Sequence, residues 1–292
     1  MDFHALTSLD ETLEKLADYG SDATLVAGGT SARYLIMSGQ ITAKAVLHIE
    51  RLAIGSHGEL AGITLNGGAR LGALANLRDI AEQPEIISRF NGLATAAGKC
   101  GGWQTQSIAT LGGNVCGASP SADLIPPLLV QNASIELHSQ ARGSRTVALG
   151  DFLHGAYKTD RAPDEMATAF HLPSPPPRSA DVYVKIQRRS AMERPIVGVA
   201  VRLALDKNLE KVAEMHVAIC GAGPVPFRAT QAETLMAGNA ATVEAIRAAA
   251  DAISARCTFK SDARASASYR QAVLPRAFAH AVSLCTAAIA GS

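Results

Sequence analysis

The apolar positions change period several times along the chain, and each change marks an element. Leu9, Leu13 and Leu16 recur at helical spacing with acidic residues between them. Ser8 stands before this run with Glu11 three residues on, the pairing of a capping box, so an amphipathic helix is predicted over residues 8–16. Residues 23–27 read as a buried strand that delivers the chain into Gly28-Gly29, and helical spacing resumes over 31–37. Residues 45–49 are the next predicted strand. Residues 60–68 are another, ending in a turn, after which 71–80 is predicted to be helical. The stretch 99–110 is rich in glycine and polar residues, and a short helix over 123–130 and a strand over 134–138 follow it.

Pro173-Ser174-Pro175-Pro176-Pro177 interrupts the pattern, because consecutive prolines cannot donate to a ladder and favour an extended polyproline conformation. Beyond it, 182–186, 196–204 and 212–220 alternate or run apolar like antiparallel strands, while 232–236, 240–255 and 269–288 carry helical spacing. The predicted organisation is a lobe over 1–54, a second lobe over 55–173, a proline-rich linker over 174–178 and a C-terminal α+β domain over 179–292. No internal repeat stands out.

Composition adds limits. The 292 residues exceed one typical domain, and 48% are hydrophobic against 4% aromatic, which suits close-packed strands and helices. Lys and Arg number 27 against 26 Asp and Glu, a net charge of +1 with no long basic run, so nucleic acid is not an expected partner. Met1-Asp2-Phe3-His4 opens no signal segment and no window reaches about 18 uninterrupted apolar residues, so the expectation is a cytoplasmic chain without a membrane span. Cys100, Cys116, Cys220, Cys257 and Cys285 form no CxxC, which points to reduced thiols rather than a disulfide or metal framework. His48, His57, His138, His154, His171, His216 and His280 lack metal-ligand spacing, so no metal is expected on this chain.

Candidate chemistry concentrates in two glycine-bearing turns, Ala27-Gly28-Gly29-Thr30-Ser31 and Thr110-Leu111-Gly112-Gly113-Asn114. A double glycine flanked by hydroxyl and amide side chains lets backbone N–H groups approach a phosphate closely. Two such turns suggest one diphosphate held from both sides; the alternative is that each is a tight turn and nothing more. Apart from Arg33, neither turn carries a cation, so binding would rest on amide dipoles.

The string Gln106-Ser107-Ile108-Ala109-Thr110-Leu111-Gly112-Gly113-Asn114-Val115, followed by Ala118-Ser119-Pro120-Ser121-Ala122-Asp123-Leu124, resembles the second FAD loop of the molybdenum-hydroxylase flavoproteins. That family includes the flavin domain of xanthine dehydrogenase and the medium subunit of carbon monoxide dehydrogenase. The resemblance covers essentially the whole chain. Residues 25–30 resemble the family's first loop, Asp151-Phe152 with Tyr157-Lys158-Thr159 its mid-chain segment, 183–188 its strand after the linker, and Ser261-Asp262 with Ala265-Ser266-Ala267-Ser268-Tyr269-Arg270 its C-terminal signature.

The resemblance implies an α+β protein with the two-lobed FAD-binding fold of the p-cresol methylhydroxylase and vanillyl-alcohol oxidase type, closed by the C-terminal α+β domain. It implies that Val26, Ala27, Gly28, Gly29, Thr30 and Ser31 contact FAD and that Thr110, Gly112, Gly113 and Asn114 complete the cradle. Asp123 matches an acidic position that hydrogen-bonds the cofactor, or it caps the helix that follows. Lys185 matches a lysine near the flavin ring, or it is a solvated strand lysine. Tyr183 would lie against the ring, or pack between domains.

By the same resemblance the chain is the FAD-binding electron-transfer subunit of a molybdenum-containing hydroxylase. Molybdopterin would reside on a large partner subunit and two [2Fe–2S] clusters on a small one, as a dimer of heterotrimers, with electrons leaving to NAD, a quinone or oxygen. The chemistry would be the cofactor's, with no catalytic acid, base or nucleophile on this chain. The rival readings are a self-sufficient flavin oxidoreductase of the same fold and a nucleotide-binding or assembly module without FAD. Three departures stand out: Arg33-Tyr34 replaces small aliphatic residues after the first loop, residues 104–108 follow the xanthine-dehydrogenase variant, and there is no cysteine-rich insertion of the benzoyl-CoA-reducing kind.

Overall fold

The computed structural model describes residues 1–190 and 192–291, without the side chains of 55–57. The first lobe is a three-stranded parallel sheet in the order β1-β3-β2 (β1, Asp2–Ala5; β2, Ala23–Val26; β3, Ala45–His48) with helices α1 (Leu9–Tyr19) and α2 (Ala32–Met37). The predicted cap is present, because Ser8 Oγ accepts from the Glu11 amide at 3.2 Å, and Leu13 and Leu16 are buried beneath the helix. Strand β1 escaped the sequence reading. Phe3 points outward, 66% exposed, so the segment has no apolar face and is held by backbone pairing to β3. The lobe's small core draws Leu74 and Met166 from the second lobe, which seals the seam between the two.

The second lobe is a five-stranded antiparallel sheet in the order β4-β5-β10-β6-β7 (β4, Ile63–Asn66; β5, Gly68–Gly72; β6, Ser134–Ser139; β7, Gly143–Ala148; β10, Glu165–Leu172). Its helices are α3 (Leu77–Glu82), α4 (Pro84–Arg89), α5 (Asn91–Gly98), α6 (Trp103–Gln106), α7 (Leu111–Cys116), α8 (Ile125–Val130) and α9 (Leu149–Phe152). A small hairpin, β8 (Leu153–Gly155) and β9 (Lys158–Thr159), follows α9. The predicted helix over 71–80 is corrected. The chain makes a hairpin at Gly67, Leu71 pairs with Phe170 across β5 and β10, and α3 begins only after Asn76, whose side chain accepts from the Asp79 amide at 2.8 Å. Leu71 is buried in the sheet, and the inward positions of β5 run into those of α3 at a spacing that mimics one helix.

The C-terminal domain is a four-stranded antiparallel sheet, β11 (Ser179–Ile186), β12 (Val197–Leu205), β13 (Val212–Cys220) and β14 (Phe227–Arg228), with α10 (Thr230–Met236), α11 (Val243–Arg256) and α12 (Ala267–Ala290). Helix α12 has the length and apolarity to cross a membrane, but it lies on the sheet and buries Leu274, Phe278, Val282 and Ile289. Every residue of β12 is buried, because helices cover one face of the sheet and the second lobe covers the other.

The period-two alternation of β11 divides its side chains between these neighbours. Ala180, Val182, Val184 and Ile186 pack on the helices of their own domain. Asp181, Tyr183 and Lys185 face the second lobe. Asp181 accepts from the Gly92 amide at 2.8 Å, and an added Cβ on Gly92 would lie 2.8 Å from that carboxylate, so the start of α5 fits only without a side chain.

Burial pushes the Asp181 carboxyl up to about 6, against the pull of the Gly92 amide and the Arg202 charge. A raised carboxyl disfavours ionisation in the fold, so its contribution to stability is intact below about pH 4 and is lost as pH rises through about 6. Asp181→Asn removes that loss. In urea unfolding, its advantage over the wild type should grow by up to about 3 kcal/mol between about pH 4 and pH 7. A pH-independent difference would show that the carboxyl is not desolvated.

Candidate functional site

The first turn leaves β2 at Val26, whose carbonyl accepts from the Ile49 amide at 2.9 Å, and enters α2. Ala27 packs into the core of the first lobe. Gly29 is left-handed at φ +66°, a conformation that costs a side-chain-bearing residue. Gly28 has no room for a side chain at all: its Cβ would lie 1.7 Å from the carbonyl oxygen of Ile108, two residues before Thr110. The two turns, far apart in sequence, therefore touch. Among the described residues, the amides of Gly28, Gly29, Thr30 and Ser31 meet no acceptor, and the hydroxyls of Thr30 and Ser31 meet no partner. Donors grouped in this way suit an oxyanion.

The second turn is built differently. Thr110 is the N-cap of α7, so Leu111, Gly112 and Gly113 form that helix's first turn. Their amides are all engaged: Leu111 donates to Ala75 O at 2.9 Å, Gly112 to Ala73 O at 2.7 Å, and Gly113 to Thr110 Oγ1 at 3.1 Å. The Asn114 amide donates to Thr110 O at 3.0 Å, while its side chain turns inward and accepts from the Leu124 amide at 3.4 Å. Gly112 and Gly113 are thus not free donors, because Ala73 O takes the first amide and the Thr110 cap takes the second. What this turn offers is shape. An added Cβ on Gly113 would meet only Thr110 Oγ1, at 3.0 Å, so that glycine keeps an open surface facing outward.

Beyond Asn114 the structure brings Asp123, Tyr183 and Lys185 together. Asp123 Oδ1 accepts from the Tyr183 hydroxyl at 2.8 Å, and Oδ2 accepts from Lys185 Nζ at 3.1 Å. Lys185 Nζ also donates to Lys99 O at 2.7 Å. The Lys185 side chain is fully buried, which excludes the solvated-lysine alternative, and α8 is capped by Leu124 without a side-chain bond, which excludes the capping alternative for Asp123. Burial raises the Asp123 carboxyl above its ordinary range, against the pull of Lys185 and Tyr183. Burial and the Asp123 charge push the neighbouring Cys100 thiol up to about 12.

The expected stacking role for Tyr183 is corrected. Its ring is 3% exposed and belongs to the core shared by the second lobe and the C-terminal sheet, so it packs between domains. Gly198 on β12 makes the notch for it; an added Cβ there would lie 2.3 Å from the hydroxyl. Burial drives the phenol well above its ordinary range, so Tyr183 remains a donor to Asp123.

Arg33 and Tyr34 are exposed on α2. Sequence reasoning passed over Trp103, the chain's single tryptophan, which is 61% exposed on α6 with the Arg78 guanidinium 5.4 Å from its ring centroid. A lone aromatic inside a glycine-rich segment was the signal available. No group of His, Cys, Asp or Glu among the described residues is arranged to hold a metal, and the His57 side chain lies outside them.

Residues 1–175 match a family described as the FAD binding domain in molybdopterin dehydrogenase, and 182–284 match the CO dehydrogenase flavoprotein C-terminal domain. The chain is 30% identical to the xanthine dehydrogenase FAD-binding subunit of Escherichia coli O157:H7, over 92% of this chain and 90% of that one. It is 28% identical to the carbon monoxide dehydrogenase medium chain of Hydrogenophaga pseudoflava, over 93% and 92%. Among solved structures, the carbon monoxide dehydrogenase of H. pseudoflava lacking the Mo-pyranopterin moiety superposes with a TM-score of 0.90 at 27% identity, covering 97% of this chain and 96% of that one.

The buried pair sets a test of the site's construction. Lys185→Met leaves Asp123 without its cation and should lower stability by about 3–5 kcal/mol, most of it recovered by adding Asp123→Asn. Thermal unfolding of both variants measures this, and a single variant as stable as the wild type would rule the pair out.

Proposed function

Because the chain belongs to the family of FAD-binding flavoproteins of the molybdopterin dehydrogenases, we propose that it holds FAD between its two turns and relays electrons within a molybdenum hydroxylase. The observation that carries this reading is the meeting of Gly28 with Ile108, which brings the turn with four unpaired amides against the segment that leads into the second turn. These residues fit an extended dinucleotide: the amides of 28–31 and the hydroxyls of Thr30 and Ser31 would hold its diphosphate, and the side-chain-free Gly113 would admit its backbone. Bound FAD supplies the redox chemistry. The chain's own work is to grip, to exclude water and to hold charge, with Lys185 fixed by Asp123 and Lys99 O.

No acid, base or nucleophile aimed at an organic substrate is needed here. That substrate would be oxidised at molybdopterin on a large partner subunit. A small partner would pass the electrons through two [2Fe–2S] clusters to this FAD, in a cytoplasmic dimer of heterotrimers. The electrons would leave to NAD, a quinone or oxygen.

Purified protein reconstituted with FAD should show flavin absorption, and Gly113→Val should weaken retention roughly tenfold or more, the equivalent of about 1.4 kcal/mol, whereas His138→Ala should not. A wild-type chain without flavin bands would sink the reading. Turnover of an organic substrate by the isolated chain, with neither molybdenum nor iron–sulfur partners, would replace the relay with a self-sufficient oxidoreductase.

A further inference from the structure

The C-terminal signature that the sequence flagged lies against the second lobe. Asp262 gathers it: Oδ1 accepts from the Arg264 amide at 2.8 Å, and Oδ2 accepts from Arg264 Nε at 3.1 Å and Nη2 at 2.6 Å. Arg270 Nη2 lies 2.8 Å from Oδ1 of the same carboxylate. Held this way, Arg264 donates from Nη1 to Ser121 Oγ at 3.2 Å and to Pro195 O at 3.1 Å, reaching 143 residues back along the chain. Arg270, 2% exposed, donates to Ile196 O and to Gly221 O, and the Gly221 amide donates to Pro120 O at 2.8 Å.

We propose that Arg264 is a positioning residue for the cofactor site, a clasp that fixes the turn carrying Asp123 without touching the cofactor. The turn over 119–123 anchors itself weakly. Its own bonds are local, Ala122 N to Ser119 O at 3.0 Å and Ser121 N to Ser119 Oγ at 3.4 Å. Up to Ser121, its ties to the C-terminal domain are one backbone bond, Gly221 to Pro120, and one side-chain bond, Arg264 to Ser121. Two residues further on, Asp123 must meet Tyr183 and Lys185 at once, and a buried ion pair is tolerated only in good geometry. Only a planar fork reaches Asp262 with one edge while presenting its other nitrogen to Ser121 and Pro195, so lysine does not reproduce the contact. The clasp rests on the FAD reading and explains why a signature so distant in sequence belongs to the same fold.

The test uses the full chain with Arg264→Met, Arg264→Lys, Ser121→Ala and the Arg264→Met/Ser121→Ala double variant. FAD affinity and amide hydrogen exchange of the apo chain are measured on each. Arg264→Met should weaken FAD about tenfold, the loss of a hydrogen bond to a charged group, and speed exchange at Gly221 and Leu124 while α1 is unchanged. Arg264→Lys should fall between, and Ser121→Ala should produce part of the same effect without adding to Arg264→Met. Should Arg264→Met not fold, Ser121→Ala alone must still show the local exchange and the weaker FAD. Wild-type affinity in Arg264→Met, additivity of the two substitutions, or exchange spread over the whole C-terminal domain would overturn the clasp. A wild-type chain that takes up no FAD is a different result, which removes the functional reading and the clasp with it.

Discussion

The Asp123 carboxylate fastens the chain's two halves at one buried point. Tyr183 and Lys185 reach it from β11, Lys99 O takes another hydrogen of the same ammonium, and Asn114 holds the adjoining Leu124 amide. Removing two charges from water costs several kcal/mol per ion, and only close, well-directed bonds return it. The surroundings are arranged to provide them. Gly198 leaves space for the tyrosine, β11 alternates so that one face is polar and the other aliphatic, and Gly92 lets α5 approach Asp181 beside the same seam.

The two glycine turns divide the labour that their sequences suggested they would share. The first keeps its amides free because Gly28 rests on a carbonyl and Gly29 turns left-handed. The second consumes its amides in anchoring α7 to 73–75 and in its own Thr110 cap, and it contributes a side-chain-free surface. With Arg33 exposed on α2, the proposed cradle would rest on oriented N–H dipoles rather than on a point charge.

Much of the fold was legible where the signal is local. The Ser8 and Glu11 cap, the strand into Gly28 and the strands after the proline linker follow from short-range pattern. Strand β1 did not, because its stability comes from pairing with β3 rather than from an apolar face. The helical start at Leu111 was also hidden: two glycines cost about 2 kcal/mol of helix propensity, and the bonds to Ala73 and Ala75 that offset this come from a distant strand end. At the site, the residue types and their order were readable, but Tyr183 was misjudged. Alternation shows which way a strand residue points, and it does not show that the opposing surface is a carboxylate 60 residues away. The reach of Arg264 to Ser121 lay beyond any local pattern.

Strand β12 is buried along its whole length, between helices of its own domain and the second lobe. The prolines at 173–177 look like a place to cut, yet the sheet beyond them carries Asp181, Lys185 and Arg202 on a face that is buried in the intact chain. Split there, each half would expose either stranded charges or a bare apolar wall. The domains are separable on a topology diagram but not in water, so either one made alone would need a new cover for the face it lost.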